Sequence, residues 1–130
     1  MTLNPDVREL CKAPNFAVIT SILPSGRAQS HVMWVDCDEE SILMNTEVHR
    51  RKFLNIEERP QVTVTVWDLD NPYKFGEVRG TVVKTIKGPE ARAHIDFLAQ
   101  KYTGQAYNDQ SITSERVILV ISPETQHFRG

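Results

Sequence analysis

The chain has 130 residues and a formal net charge of −2 at pH 7, with 15 Lys and Arg against 17 Asp and Glu. A chain of this length can bury a core as one domain, and we expect residues 1–130 to form a single domain. The balance of charge argues against a nucleic-acid-binding protein, which carries a broad basic face. No apolar run approaches the roughly 20 residues that a membrane-spanning helix needs.

The N-terminal residues and the cysteines indicate the compartment. Residues 1–12 carry four charged side chains and therefore lack the apolar core of a secretion signal, so we expect a cytoplasmic protein. Cys11 and Cys37 are too few for a disulfide framework, and we expect both to be reduced and buried. The four histidines have no metal-ligand spacing with one another or with the cysteines, so no metal site is expected.

The first half of the chain predicts alternating short elements. β-Forming residues end at a Pro-Ser-Gly turn, and the next run alternates apolar and polar side chains. A proline near the start favours an N-terminal helix, and Pro60 stops a second helix because it disfavours helical backbone before it. The predicted elements are a helix at 5–12, strands at 16–23, 28–36 and 41–46, and a helix at 53–59.

The second half predicts a β-hairpin, the longest helix and two final strands. Strand 61–67 has period two, and Gly76 and Gly80 inside the next strand predict bulges or bends. An apolar stripe at helical spacing indicates a helix that ends at Gly104. The predicted elements are strands at 61–67 and 73–86, a helix at 89–102, and strands at 115–122 and 125–129. Tight turns between six or seven strands favour a mainly β (α+β) barrel over a sandwich or a βαβ sheet.

The most informative segment is 45–52, Asn-Thr-Glu-Val-His-Arg-Arg-Lys. Its three consecutive cations, Arg50, Arg51 and Lys52, precede a predicted helix, where they oppose the helix dipole. They become favourable when a phosphate lies among them and accepts the free N–H groups. The segment therefore predicts a phosphate site for a nucleotide-like cofactor, with a solvated basic turn as the alternative.

Four segments in this order resemble the pyridoxamine 5′-phosphate oxidase-like, split β-barrel flavoproteins. More narrowly, they resemble the branch of deazaflavin (coenzyme F420)-dependent enzymes. The segments are 32–36, 45–62, 71–80 and 91–102, and the resemblance extends from about Cys11 to Phe128. It implies a split β-barrel and a homodimer with two cofactor sites at the subunit interface.

The resemblance also implies roles for individual residues. Arg51 and Lys52 match the positions that bind the cofactor phosphate, and Arg50 is an added cation. Asn45 and Thr46 match positions that hydrogen-bond the ribityl chain and the ring edge. The strand beside the ring comprises Ser30, His31, Val32, Met33 and Trp34, and the positions that reach the cofactor from the partner subunit are Tyr73 and Phe75.

Three features depart from the family pattern. Glu47 stands near the phosphate positions, where an acidic side chain is expected to weaken phosphate binding. His31 replaces a small residue and either narrows the pocket or donates a proton; it is the sole catalytic candidate. The sequence also lacks the C-terminal extension with which pyridoxamine phosphate oxidases hold their substrate, so vitamin B6 oxidation is not expected.

The expected function is therefore that of an oxidoreductase. It would use reduced coenzyme F420 to transfer hydride to an unsaturated or quinone-like small molecule, with FMN as the alternative cofactor. A non-catalytic protein that binds a flavin, a deazaflavin or haem is the second hypothesis. The third is a structural dimer whose basic turn contacts solvent.

Overall fold

The computed structural model describes residues 2–130. This part of the chain contains three α-helices and seven β-strands. They are α1 Pro5–Lys12, β1 Phe16–Ile22, β2 Ala28–Trp34, β3 Asp36–Cys37, β4 Ile42–Glu47, α2 Arg51–Glu58, β5 Gln61–Trp67, β6 Phe75–Lys87, α3 Pro89–Thr103 and β7 Arg116–Arg129. A single 3-10 turn at Asp109–Ser111 interrupts the connection between α3 and β7.

The seven strands form one antiparallel sheet in the order β2-β1-β5-β6-β7-β4-β3. Tight turns join β1 to β2 and β5 to β6, as expected for antiparallel neighbours. The sheet curls until β2 contacts β4 across the opening. The predicted fold class, a mainly β split barrel with inserted helices, is confirmed.

The barrel interior follows from the period-two pattern of its strands. Alternate residues of β1 and β5 are buried, so the valines of β5 face the core while its threonines face outward. Helix α1 covers one end with Val7, Leu10 and Cys11. Cys11 and Cys37 are both buried and unpaired, as predicted. No helix among residues 2–130 combines the length and apolarity that a membrane span requires.

Helix α2 begins two residues earlier than predicted. Its first residue is Arg51 rather than Phe53, so Arg51 and Lys52 lie in the first turn. Arg50 occupies the N-cap position with extended backbone, and its side chain makes no capping hydrogen bond. The helix thus has a basic, uncapped N-terminus, where N–H groups have no partner within the helix.

Strand β7 is continuous, so the prediction of two separate strands at its position was wrong. The predicted gap falls at residues 123–124, and Pro123 there lies beyond Ile121, where pairing with β4 ends. It also adjoins a register shift in β6 between Arg79 and Gly80, where a strand tolerates a residue without an N–H. A β-carbon at Gly80 would overlap the Ser122 carbonyl oxygen, so this bulge requires glycine.

Gly76 has a different role from the bulge that was predicted for it. The pairing of β6 with β5 and β7 is regular at Gly76. A β-carbon there would lie 2.9 Å from Val7 Cγ2. The glycine therefore lets α1 pack closely on the sheet, and the second irregularity of β6 falls between Val82 and Lys84 instead.

Candidate functional site

A cavity of about 290 Å³ opens where β2, β4, α2 and α3 meet the start of β7. Its lining combines aromatic and aliphatic side chains with three cations and two polar residues of β4. The lining residues are Phe16, Val32, Met33, Trp34, Asn45, Thr46, Arg50, Lys52, Ile95, Leu98, Tyr107 and Arg116. An apolar cleft with a few convergent polar groups is the usual form of a small-molecule site.

Seven of the twelve predicted cofactor residues line this cavity. They are Val32, Met33, Trp34, Asn45, Thr46, Arg50 and Lys52. The structure places the other five, Ser30, His31, Arg51, Tyr73 and Phe75, outside the lining. Two segments that are distant in the sequence, the end of β2 and residues 45–52, therefore meet at this cavity.

Lys52 is the least satisfied charge of the cavity. Only 8 % of the residue is exposed, and no acidic or hydrogen-bonding group within residues 2–130 pairs with its ammonium. Burial lowers its pKa, and the nearby guanidinium groups of Arg50 and Arg116 lower it further. A buried cation without a partner is costly, so this position favours an anion from outside the chain.

The two arginines next to Lys52 differ in their surroundings. The side chain of Arg50 is about half exposed, and its Nη2 lies 3.8 Å from Glu47 Oε2, too far for a strong ion pair. Arg51 is exposed, and its Nε donates to Asn55 Oδ1 at 2.9 Å. Because the Asn55 amide is itself bonded to Ser21 in β1, Arg51 is anchored to the outside of the cavity wall.

Glu47, which was expected to weaken phosphate binding, is held by groups of the protein itself. Its Oε1 accepts the backbone N–H groups of Thr113 and Ser114, each at 2.7 Å, and its Oε2 lies 3.4 Å from Arg116 Nη1. Burial raises the pKa of this carboxyl, but the two N–H donors and Arg116 outweigh it and lower the pKa overall. An ionised Glu47 thus fixes the start of β7.

Asn45 is engaged on all sides by protein groups. Its Nδ2 donates to the Ala91 carbonyl at 3.0 Å and lies 3.1 Å from His94 Nδ1, and its Oδ1 accepts from Arg116 Nε at 2.8 Å. The amide therefore connects α3 to β7 through β4. The hydrogen bonds predicted for Asn45 were to a cofactor, and these three protein partners were not foreseen.

The network continues behind Asn45 to a buried carboxylate. His94 Nε2 lies 3.3 Å from Asp36 Oδ2, and Lys12 Nζ donates to Asp36 Oδ1 at 3.1 Å. Burial works to raise the pKa of Asp36, but the hydrogen bonds from His94, the Cys37 N–H and Lys12 lower it to about 2. Asp36 is thus ionised at neutral pH and orients His94.

An aromatic wall borders the same cavity. The rings of Trp34 and Tyr102 stack with centroids 5.1 Å apart, and Tyr107 meets Trp34 edge-on at 6.3 Å. The Arg116 guanidinium lies 5.3 Å from the centre of the Tyr107 ring. Trp34 is half-buried and lines this cavity, and its contact with a cofactor ring stays a prediction.

His31 lies beside the cavity rather than in it. Burial lowers the pKa of its imidazole, and the charges of Lys52 and Arg50 lower it further. Its buried Nε2 has no hydrogen-bond partner within residues 2–130. On the opposite face of β2, Ser30 Oγ lies 2.8 Å from Thr20 Oγ1. The structure therefore gives neither residue a direct place in the cavity lining.

Sequence analysis missed five residues of the lining, and two of them are polar, Arg116 and Tyr107; the other three are Phe16, Ile95 and Leu98. Arg116 is only 8 % exposed although it is charged. One signal was available, because this cation directly precedes the apolar run Val117–Ile121, which is typical of a buried strand. Tyr107 lies in an irregular loop, and no local pattern distinguished it.

Tyr73 and Phe75 lie at the β5–β6 hairpin, away from the cavity lining. Tyr73 is 80 % exposed, although it is a large aromatic residue. Neither residue can be assigned a ligand contact within its own subunit from these positions. Their predicted contact with a partner's cofactor stays a prediction.

Comparison with known proteins identifies the same architecture elsewhere. A family described as pyridoxamine 5′-phosphate oxidase matches residues 3–130. A solved F420 reductase is 29 % identical, with a TM-score of 0.85 over 96 % of this chain and 98 % of that chain. No curated protein matches the chain.

Two more distant solved structures share the fold alone. A conserved hypothetical protein from Mycobacterium tuberculosis is 21 % identical, with a TM-score of 0.67 over 93 % of this chain and 79 % of that chain. A heme storage protein from Vibrio cholerae is 12 % identical, with a TM-score of 0.66 over 100 % of this chain and 96 % of that chain.

Proposed function

The chain belongs to the pyridoxamine 5′-phosphate oxidase family, and from this premise we propose that it is an oxidoreductase dependent on coenzyme F420. In this proposal, reduced F420 supplies the hydride that reaches an unsaturated or quinone-like small molecule. The observation that carries the proposal is Lys52, a largely buried residue whose ammonium has no protein partner within residues 2–130 and which lines a cavity with an aromatic wall. The 29 % identity to an F420 reductase supports the choice of cofactor.

The phosphate of the cofactor would lie at the N-terminus of α2. Lys52 and Arg50 line the cavity there, and the first turn of the helix offers uncapped N–H groups. Arg51 contributes positive charge from outside the lining. A bound phosphate would give Lys52 the counter-charge that it lacks, which fits an anionic group better than a neutral one.

The ring of the cofactor would lie against the end of β2. Val32, Met33 and Trp34 present apolar surface to the cavity, and Ile95 and Leu98 of α3 complete it. These residues would exclude water and orient the ring, which is the protein's task when the cofactor supplies the chemistry. Thr46, buried in β4 beside the cations, would contact the ribityl chain that joins ring and phosphate.

The functional unit would be a cytoplasmic homodimer of a single cofactor-binding domain. The exposure of Tyr73 supports this, because an exposed aromatic residue at a hairpin is typical of a contact surface. We expect sedimentation to give twice the monomer mass of 14.8 kDa, and a monomer at micromolar concentration would contradict the dimer.

FMN is the alternative cofactor, since it shares the phosphate and ribityl groups with F420. A fluorescence titration of the purified protein with both compounds tests the proposal directly. We expect F420 fluorescence to be quenched with micromolar affinity and FMN to bind more weakly. Tighter binding of FMN would reverse the choice of cofactor, and binding of neither would contradict the proposed function.

Turnover separates an enzyme from a protein that only binds the cofactor. We expect reduced F420 to be oxidised when a quinone or an enone is added with the protein, as followed by the return of its absorbance. If neither a quinone nor an enone oxidises the bound cofactor faster than it oxidises free cofactor in buffer, the protein would only bind the cofactor. For the Arg50 variant described below, the same substitution at Arg27, which is exposed in the β1–β2 turn, provides a matched control.

A further inference from the structure

Arg116 reaches the cavity from β7, whereas Arg50 and Lys52 reach it from the start of α2. Two of its guanidinium nitrogens face protein: Nε donates to Asn45 Oδ1 at 2.8 Å, and Nη1 lies 3.4 Å from Glu47 Oε2. Within residues 2–130, no protein group accepts a hydrogen bond from Nη2. One edge of the guanidinium is therefore held, and the other is left for a ligand.

The charge of Arg116 has a counter-charge within the protein, unlike that of Lys52. Glu47 and Arg116 are direct cross-strand neighbours in β4 and β7, and both are buried. Because the ionised Glu47 carboxylate lies 3.4 Å away, Arg116 keeps its N–H donors while part of its positive charge is balanced. Such a group suits a carbonyl oxygen of a neutral or delocalised ring better than a phosphate, which requires net positive charge.

The surroundings of Arg116 also fit a planar ligand. Its guanidinium packs against Tyr107, whose edge meets the Trp34 ring. Arg116 therefore belongs to the aromatic part of the lining, where a flat heterocycle would lie beside Trp34. A planar donor next to a flat wall can bond the in-plane oxygen of a ring that stacks there.

We propose that Arg116 binds the heterocyclic ring of the ligand by donating to one of its carbonyl oxygens. Asn45 and Glu47 act as positioning residues, because they fix the guanidinium from two sides without needing to touch the ligand. This inference rests on the proposed function, since it takes the ligand to be a deazaflavin or a flavin. It assigns Arg116 to the ring, and it assigns Lys52 and Arg50 to the phosphate.

Matched ligands with and without phosphate test the assignment. Wild-type protein and the variants Arg116→Gln and Arg50→Gln are titrated with F420 and with its phosphate-free deazaflavin chromophore, or with FMN and riboflavin if FMN binds better. We expect Arg116→Gln to weaken both members of a pair by roughly tenfold or more, since each loses a charge-assisted bond. We expect Arg50→Gln to weaken only the phosphorylated member.

The absorption spectrum of the bound ring gives a second readout. A hydrogen bond to a ring carbonyl changes the electronic transition, so the bound spectrum at saturation should shift in Arg116→Gln and stay unchanged in Arg50→Gln. Asn45→Ala should shift the spectrum in the same direction but less, because it frees Arg116 without removing it. A purely structural Asn45 would leave the bound spectrum unchanged.

Arg116→Gln leaves Glu47 buried without its partner and can therefore fail to fold. The double variant Glu47→Gln/Arg116→Gln removes both charges, and we expect it to show the same loss for both ligands. A loss confined to the phosphorylated ligand, or affinities within about twofold of wild type for both, overturns the ring assignment. Wild-type protein that binds no member of either pair contradicts the proposed function itself, and the ring assignment falls with it.

Discussion

Two clusters of polar side chains border one cavity, and they differ in how completely the protein satisfies them. At the start of α2, the ammonium of Lys52, a largely buried residue, has no protein partner within residues 2–130. Across β3, α3, β4 and β7, by contrast, a continuous chain of contacts joins Asp36, His94, Asn45 and Arg116. We call the first the cation cluster (Arg50, Arg51 and Lys52) and the second the buried network.

This difference indicates that the two clusters have different tasks: the cation cluster would bind a ligand, and the buried network would hold side chains in place. A buried charge without a partner destabilises the folded protein, so its presence is best explained by a ligand that supplies the partner. A satisfied network instead holds its members in one geometry. We therefore expect the cation cluster to determine affinity at little cost in folding when it is changed, and the buried network to determine stability.

The largest expected effect is the loss of binding in the cation cluster. Each charge-assisted hydrogen bond contributes roughly 1.5–3 kcal/mol. We therefore expect the double variant Arg50→Ala/Lys52→Ala, which removes both cations that line the cavity from α2 and its N-cap, to weaken cofactor binding by about 3 kcal/mol or more, measured by fluorescence titration. Lys84→Ala, an exposed lysine of β6, serves as the control. Affinity within about twofold of wild type would remove the cation cluster from the site.

Local patterns predicted most of the fold and the cation segment, whereas resemblance to a family supplied the other predicted site residues. The alternation of β5, the apolar stripe of α3 and the left-handed Gly104 are properties of neighbouring residues, so the sequence specified these elements. Residues 45–52 were recognised for the same reason. The gap expected between strands 115–122 and 125–129 was wrong because a strand that has lost one neighbour tolerates proline, and the sequence does not show which neighbours a strand has.

Arg116 and Tyr107 show why the remainder of the site could not be predicted. Arg116 joins the site because β4 and β7 pair in a register that places it opposite Glu47. Register depends on the whole sheet, and a shift by one residue would turn Arg116 to the other face. Tyr107 reaches the cavity through a loop that backbone contacts hold, including Tyr107 N–H to Asp96 Oδ1 at 3.0 Å.

A smaller effect is expected on the free energy of unfolding when acid protonates Asp36 in the buried network. The pKa of Asp36 falls from 3.8 to about 2 in the folded protein. A lowered carboxyl pKa gives stability that is present above pH 4 and is lost as the pH falls towards 2, and for this shift it amounts to about 2 kcal/mol. Urea unfolding at pH 5 and pH 3 should therefore show a steeper loss for wild type than for Asp36→Asn.

Other carboxylates also titrate in this range, so the informative quantity is the difference between the two proteins. We expect Asp36→Asn to be less stable than wild type at pH 5 and the gap to narrow at pH 3. Asp70→Asn, at an exposed position in the β5–β6 turn, should keep a constant gap. A constant gap for Asp36→Asn as well would show that the buried network does not hold Asp36 ionised.

The smallest expected effect tests the comparison of the two clusters most directly, because it is a gain in stability where a change in the buried network would cause a loss. Replacing an unpartnered buried charge with an apolar side chain of similar length removes a desolvation cost, so Lys52→Met should raise the free energy of unfolding by about 1 kcal/mol without ligand. The same variant should bind the cofactor more weakly than wild type. Lys84→Met, at an exposed position, should change neither quantity. A destabilised Lys52→Met would mean that protein groups already satisfy the ammonium, and the cation cluster would then belong with the buried network.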